Sequence, residues 1–252
     1  MMTYLITGAA GSLGSVLVEK LLADGNNTVR AFDSDEYGLS ALPKGMNPRK
    51  ILGSVANKDE ITRAIRGADI VIHCAAVKNL DISEYNVHSL IDTNVTGTYN
   101  VAMACQEHKV KTAVYISTDK VTGVSTYGVT KLLGEKVWFW AHRTSPSTRF
   151  VTMRSGNFCS SRGNVFEVWQ RQIYKGKKPT ITDPEMRRFF IKTERVADLI
   201  LDIVAQYEKY PRGTVVIPKM KEYNILDLFK RFYPHVDYDV TGIREGEVLG
   251  EE

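Results

Sequence analysis

The opening of the chain switches between two hydrophobic periods. Thr3 to Thr7 is a short apolar strand, Ser12 to Ala23 repeats its apolar positions at helical spacing, and Thr28 to Phe32 is a second strand, which together predict a βαβ unit. The alternation continues. A helix at about Lys58 to Ile65 leads to a buried strand over Asp69 to Cys74, and a long helix from about Ser89 to His108 leads to a strand over Thr112 to Ser117. A further helix, about Tyr127 to Arg143, precedes a strand over Phe150 to Arg154. Parallel strands need crossover connections, so this order implies an α/β fold: a Rossmann-like doubly wound parallel sheet covered by helices on both faces. After Arg154 the pattern loosens into polar, glycine-containing segments, Ser160 to Asn164 and Gly176 to Pro184, which read as substrate-side insertions. A helix over about Arg195 to Tyr207 and a strand over about Thr214 to Ile217 return to the core, and Ile225 to Phe232 is a short amphipathic helix. With no internal repeat or low-complexity linker, one unit over residues 1–252 is expected. Its core would span about 1–155 plus 192–218, and a small C-terminal lobe about 156–191 and 219–252.

Composition narrows the classes. The 252 residues are 43% hydrophobic and 25% charged, an ordinary globular balance. The longest apolar runs, Ala68 to Val77 and Leu199 to Ala205, are broken by Asp or His and fall short of the roughly 20 residues a membrane span needs, so no membrane insertion is expected. The N-terminus runs straight into a strand and a glycine turn, and a cytoplasmic protein is the default. Cys74, Cys105 and Cys159 are widely spaced and odd in number, which reads as buried free thiols. The five histidines show no metal-binding spacing, so no protein-bound metal is expected. A net charge of +4 is modest, and its one cluster, Lys175, Lys177 and Lys178, reads as a solvated turn. Arg187 and Arg188 beside Phe189 and Phe190 could stack a base, but no nucleic-acid motif accompanies them and an anionic small substrate explains the arginines equally well.

The candidate chemistry begins at Gly8, Gly11 and Gly14, a GxxGxxG turn between a strand and a helix. The first glycine permits the tight turn, and the others let backbone N–H groups and the helix N-terminus approach a pyrophosphate. About 20 residues on, Asp33 ends the second strand, the context that confirms a dinucleotide site. Its carboxylate could accept both adenosine ribose hydroxyls and repel a 2′-phosphate, which favours NAD over NADP, although an aspartate there could simply cap the next turn. Arg30, two positions upstream, keeps a phosphate-binding role open. Ser12, Leu13, Ser34 and Ala75 complete the expected cofactor set.

Tyr127 and Lys131 form YxxxK, one turn apart on one face of a helix. A neighbouring ammonium would lower the phenol pKa and let Tyr127 take a hydroxyl proton as hydride leaves for a nicotinamide. YxxxK alone is usually surface decoration. Here it follows the strand ending in Ser117, Thr118, Asp119 and Lys120, at the carboxyl edge where open sheets bind ligands.

These motifs, with Thr93 to Val95, resemble the extended short-chain dehydrogenase/reductase superfamily. Ser117 to Lys120, Arg162 with Gly163, Asp183 to Phe190 and Gly242 to Glu247 are similar, more specifically, to the nucleotide-sugar 4,6-dehydratases of the polysaccharide-biosynthesis group, whose inverting members act on UDP-N-acetylglucosamine. The resemblance covers nearly the whole chain and implies a hydro-lyase. It casts Tyr127 as the base for oxidation at sugar C4, Lys131 as its partner and a ligand of the nicotinamide ribose, and Thr118 as a hydrogen-bond donor to the C4 oxygen. Lys120 would take the C5 proton while protonated Asp119 gives its proton to the departing C6 hydroxyl, and hydride would return to C6. Arg188 and Arg244 would meet the UDP phosphates, Glu247 a uridine ribose hydroxyl, Lys78 the sugar and Asn157 the nucleotide. From the residues alone, Asp119 and Lys120 could equally be a solvated ion pair.

The sequence departs from the family pattern in places. The loop between Lys120 and Tyr127 is one residue short and lacks Asn-Pro. Ser155 stands where an aromatic precedes Gly-Asn, Ser34 replaces an arginine that often reads a 2′-phosphate, and Ser54 replaces an aspartate that contacts adenine. The helices near Ser89 to His108 and Tyr127 to Arg143 form the dimer interface in the superfamily, so a homo-oligomer is expected. Trp138, Phe139 and Trp140 point in several directions, and at least one is expected to leave the core. A UDP-sugar 4-epimerase, which would use Tyr127 and Lys131 but not Asp119 and Lys120, and a non-catalytic dinucleotide-binding protein are the competing expectations.

Overall fold

The computed structural model describes residues 1–43, 48–78, 84–123, 125–211 and 213–251. Seven strands form a parallel sheet: β1 (Thr3–Thr7), β2 (Thr28–Asp33), β3 (Arg49–Leu52), β4 (Ile70–His73), β5 (Thr112–Thr118), β6 (Arg149–Ser155) and β10 (Val215–Val216). Their order is β10-β6-β5-β4-β1-β2-β3. Chain direction across the sheet therefore reverses between β1 and β4, and the crevice outside the carboxyl ends of these strands is where open α/β sheets hold ligands. β4 and β5 are buried at every position, which suits strands covered on both faces.

Alternating strand residues feed two cores. On one face Ile6, Ile72, Val114 and Val151 pack with Leu17 and Val18 of α1 (Ser12–Ala23) and Ile200 of α8 (Thr193–Ala205). On the other, Leu5, Val71, Ala113, Tyr115 and Phe150 meet Ile61 and Ile65 of α3 (Lys58–Ile65), Val101 of α5 (Thr98–Glu107) and Trp138 of α6 (Thr126–Thr144). Trp138 meets Phe150 edge to face with centroids 5.0 Å apart, while Phe139 and Trp140 stay 49% and 42% exposed, as their helical spacing requires.

Several elements of the sheet half and the lobe were not expected. α2 (Glu36–Ala41) is short, and β3 is an edge strand with three exposed residues, too polar to show in a hydrophobicity pattern. The segment between β6 and α8 holds a helix, α7 (Val165–Tyr174), and β9 (Arg187–Ile191), where only insertions were read. β9 pairs with β7 (Asn157–Phe158) and β11 (Lys221–Asn224), and β8 (Thr180–Ile181) pairs with β12 (Asp239–Val240). Aromatic residues unite this lobe: Trp169 is fully buried against Phe229 of α9 (Ile225–Phe232), with centroids 5.1 Å apart, and Phe166 packs on both Trp169 and Phe190. Strands of two residues carry no period, so of this lobe core only the amphipathic helix over Ile225–Phe232 was legible as a pattern.

The helix expected over Ser89 to His108 is interrupted. It starts as α4 (Val87–Leu90), loosens into a π-helical segment over Ile91–Gly97 and resumes as α5. Asn94, fully buried in that segment, accepts from Val77 N–H at 2.9 Å and donates to Val77 O at 2.9 Å and Thr130 Oγ1 at 3.2 Å. It thus fixes the chain beyond β4 to α6.

Candidate functional site

A cleft of about 1020 Å³ runs along the carboxyl edge of the sheet from Gly8 to the lobe residues Arg188, Arg244 and Glu251. Its floor is the glycine turn. Gly8 has φ +67°, and a Cβ there would stand 2.6 Å from Ala75 N, so β1 and the segment after β4 approach as closely as backbones allow. A Cβ on Gly14 would overlap the Gly8 carbonyl oxygen, which seats α1 directly on the turn. Gly11, the N-cap of α1, supplies no side-chain cap, so the first N–H groups of the helix stay available to an anion. Ser12, Leu13, Ser34 and Ala75 also line the cleft.

Asp33 ends β2 facing this turn. Its Oδ2 accepts from Ala10 N–H at 2.8 Å and its Oδ1 from Asp35 N–H at 3.0 Å, so two backbone donors orient the carboxylate. Arg30 points elsewhere: it donates to Ala64 O at 2.8 Å and Arg66 O at 2.7 Å, and so closes the C-terminal end of α3 rather than meeting a phosphate. Ser54 lines the cleft with its N–H held by Glu60 Oε2 at 2.8 Å. A loop from the lobe reaches across. Arg162 N–H donates to Ser12 Oγ at 3.0 Å, its guanidinium is 3.7 Å from Asp35, and Lys78 Nζ donates to Arg162 O at 3.4 Å. A tight glycine cradle, an uncapped helix N-terminus and a fixed carboxylate together fit a dinucleotide.

β5 delivers the next group. Thr118, its last residue, donates from Oγ1 to Asp119 Oδ1 at 3.0 Å, and a short 3-10 turn over Asp119–Thr122 aims Lys120 back so that its Nζ is 3.1 Å from the same oxygen. Asp119 is 6% exposed, and its Oδ2 has no partner among the described residues. This buried arrangement is not the solvated ion pair that Asp119 and Lys120 could have formed. Asn157, expected near the nucleotide, lines the cleft beside the turn, accepting from Lys120 Nζ at 3.4 Å and donating to Phe189 O at 3.1 Å.

Tyr127 enters from the first turn of α6, which Ser125 caps by accepting from Gly128 N–H at 3.0 Å. The one-residue-short loop brings Tyr127 and Lys120 into the same cleft; its Val124 lies outside the described residues. Burial raises the Tyr127 phenol pKa, partly offset by a hydrogen bond from Thr118, and the Asp119 charge adds to the rise. The expected lowering by Lys131 is therefore not found. Lys131 is buried, donates from Nζ to Ile116 O at 2.6 Å and lies 4.1 Å from the centroid of the Tyr115 ring, and burial pushes its pKa down to about 7.

Three acids escaped sequence reading. Glu84 accepts from Thr126 N–H at 2.9 Å and from its hydroxyl, placing a carboxylate at the N-terminus of the helix that carries Tyr127. Glu135 takes Arg154 in a bidentate pair of 2.8 and 2.7 Å, joining α6 to β6. Glu251 lies 3.5 Å from Lys120 Nζ and 3.8 Å from Arg188 Nε. None sits in a motif, and an isolated acid whose partner is distant in sequence carries no local signal.

On the lobe side, Arg188 is 8% exposed and donates to Arg187 O at 2.7 Å and Leu249 O at 3.2 Å. Arg244 and Glu247 pair with each other at 2.7 Å, the guanidinium exposed and the carboxylate buried. Cys105 is buried as expected, but Cys74 and Cys159 are only partly so; all three are free, and burial pushes the Cys74 thiol up to about 12. Among the described residues no group of His, Cys, Asp and Glu could hold a metal, and no helix is long and apolar enough to cross a membrane.

Fold and cleft define a Rossmann-like protein of the extended short-chain dehydrogenase/reductase kind. The chain belongs to the polysaccharide biosynthesis protein family, which it matches over residues 4–252. It is 36% identical over 255 aligned positions to a UDP-N-acetylglucosamine 4,6-dehydratase (inverting) of Campylobacter jejuni, covering 98% of this chain and 75% of that protein. A UDP-glucose 4-epimerase of Rickettsia rickettsii is 32% identical, with 97% and 75% covered. The fold superposes on a dTDP-glucose 4,6-dehydratase of Streptomyces venezuelae, solved with NAD bound, at a TM-score of 0.89, with 22% identity over all of this chain and 88% of that one.

Proposed function

We propose that the protein is an NAD-dependent nucleotide-sugar 4,6-dehydratase, converting UDP-N-acetylglucosamine to a UDP-4-keto-6-deoxy-N-acetylhexosamine in the cytoplasm, as a homo-oligomer. The observation that carries this reading is the group of buried Thr118 and Asp119 with partly buried Lys120, with contacts of 3.0 and 3.1 Å, in one cleft with the glycine turn and Tyr127. An epimerase has no use for an acid and a base paired beside the sugar; an elimination needs both.

Gly8, Gly11, Ser12, Leu13 and Gly14 would hold the pyrophosphate, Asp33 and Ser34 the adenosine ribose, and Ala75 and Lys131 the nicotinamide end. When bound, NAD supplies a hydride acceptor for sugar C4 and a donor for C6. Tyr127, ionised once the positive charge of bound NAD offsets the burial and the Asp119 charge that raise its phenol pKa, would take the proton of the C4 hydroxyl, and Thr118 would hydrogen-bond that oxygen. The C4 ketone acidifies C5–H. Lys120, as the free amine, takes the C5 proton while Asp119, as the acid, protonates the C6 hydroxyl; the C5–C6 double bond forms as the C6–O bond breaks, and water leaves. The 3.1 Å contact lets the pair exchange its proton, so the ion pair converts to the neutral acid and amine without a net change of charge. Arg188 and Arg244 would take the diphosphate, Arg244 exchanging Glu247 for it, while Glu247 takes a ribose hydroxyl. Lys78 and Asn157 would flank the sugar.

The test is incubation with a panel of nucleotide sugars followed by mass spectrometry. A UDP-sugar product lighter by one water is expected. A product of unchanged mass identifies an epimerase, which the relative in Rickettsia rickettsii makes the second reading, and binding of NAD without any turnover identifies a non-catalytic protein. Replacing Lys120 by Ala should leave oxidation at C4 measurable while lowering water loss by about 10²–10⁴-fold, the range for a lost acid or base. Undiminished elimination would refute its role. Titration with both cofactors should favour NAD, and a preference for NADP would overturn the assignment of Asp33.

A further inference from the structure

Glu251 is the least explained charge in the cleft. Its side chain is 3% exposed, its Oε1 bridges Lys120 Nζ at 3.5 Å and Arg188 Nε at 3.8 Å, and its Oε2, buried, has no partner among the described residues. A buried carboxylate oxygen left without a donor is costly, and a site that leaves one open is built to receive a donor. Lys120 places that oxygen beside the C5–C6 end of a bound hexose, and Arg188 marks the side on which the diphosphate would lie.

We propose that Glu251 is a specificity-determining residue: its Oε2 accepts a hydroxyl of the hexose, and its charge excludes nucleotide sugars that carry a carboxylate at C6. The inference rests on the dehydratase reading, which fixes the protonation of its neighbours. In the state competent for elimination Asp119 carries a proton and Lys120 is a free amine, so neither contributes a charge. Arg188 contacts Glu251 Oε1 through Nε at 3.8 Å while its Nη1 is held by the Arg187 and Leu249 carbonyls, and Lys78 donates to the Arg162 carbonyl at 3.4 Å. Asp119 with Lys120 and Glu251 with Arg188 then leave no net positive charge to receive a carboxylate at C6, and Oε2 of Glu251 is the acceptor without a partner among the described residues. A neutral CH₂OH donates to it; a carboxylate meets like charge in a poorly solvated cleft, where such repulsion discriminates most strongly.

The experiment is calorimetric binding to the full chain saturated with NAD. The probes are UDP-N-acetylglucosamine, the same nucleotide sugar oxidised to a carboxylate at C6, and the neutral C6 amide of that acid. The native protein should bind the amide at least tenfold more tightly than the acid. Glu251→Gln, equal in size and able to accept through its amide oxygen, should bind the acid at least tenfold more tightly than the native protein does, while binding UDP-N-acetylglucosamine more weakly because a charged acceptor is replaced by a neutral one. Glu251→Asp, which keeps the charge, should still reject the acid. Equal affinity of the native protein for acid and amide would overturn the proposal without any variant. So would a Glu251→Gln protein that binds UDP-N-acetylglucosamine and still rejects the acid. Failure of the native protein to bind any of the three probes would instead remove the dehydratase reading, and the proposal with it.

Discussion

Single residues set the tightest limits where backbones meet. At Gly14 a methyl group would overlap the Gly8 carbonyl oxygen, whereas at Gly11 it would stand 3.1 Å from the same atom. Overpacking of this kind costs about 1–3 kcal/mol, which in a chain of this size lowers Tm by about 2–4 °C per kcal/mol. Gly14→Ala should therefore melt several degrees lower and lose NAD affinity, while Gly11→Ala should do less of both; thermal melts with and without NAD check the order, and equal effects would contradict the packing. The glycine turn was legible because its spacing is dictated by such contacts, and the same holds for Asp33, whose place at a strand end the structure explains through Ala10 and Asp35. Glu251, Glu84 and Glu135 were not legible. Each acts through a partner distant in sequence, and nothing local marks the pairing. Tyr127 and Lys131 were legible as a pair, but not in their electrostatics: the spacing puts both on one helix face, yet burial and the Ile116 carbonyl decide where the amine points and which way each group is shifted.

At the scale of elements, β4 and the helices beside it are joined through a buried histidine. His73, at the end of β4, has Nδ1 2.7 Å from Thr7 Oγ1 of β1 and Nε2 3.0 Å from Thr98 Oγ1 of α5, and stacks near Tyr115 and Trp138. Burial, reinforced by the nearby Lys131 charge, lowers its pKa from 6.5 to about 3. Above pH 6.5 His73 is neutral in folded and unfolded chains alike and adds no pH dependence. As the pH falls from 6.5 towards 3, the unfolded chain gains a proton that the folded one refuses, so stability is lost at up to about 1.4 kcal/mol per unit. Urea unfolding at several pH values should show this slope, and His73→Gln, which offers amide hydrogen bonds without a titration in that range, should flatten it; an unchanged slope would assign the acid sensitivity elsewhere. Regular elements such as α1, α3 and α9 were read from apolar spacing because each buries one stripe. The π-helical segment was not. It exists to bring Asn94 to Val77 and Thr130, a tertiary demand that overrides the 3.6-residue period.

At the scale of the whole molecule, the cleft divides a sheet core, mostly aliphatic with a cluster around Trp138, from a lobe core centred on Trp169 and Phe229, and of the lobe only α9 announces itself in a periodic pattern. One surface remains to be placed. Ile91, Tyr99, Val129, Leu133, Phe139 and Trp140 are each 42–53% exposed, all on the π-helical segment, α5 and α6, with Tyr99 and Trp140 stacked at 5.9 Å. Large apolar side chains left exposed on adjoining helices mark an interaction site. The homo-oligomer proposed above would be built on this patch, with a second copy of the chain as its occupant. A two-fold interface would place Leu133 and Trp140 of one chain against the same patch of the other, so a single pair of substitutions introduces charge on both sides at once. Leu133→Glu with Trp140→Glu should convert a dimer to a monomer in sedimentation velocity while leaving the far-UV circular dichroism unchanged. Because α6 also carries Tyr127 and Lys131, and Glu84 ties its N-terminus to the chain before α4, the monomer should turn over more slowly than the dimer. A native protein that sediments as a monomer at micromolar concentration would remove the interface, and a charged pair that leaves the assembly intact would move it to another face.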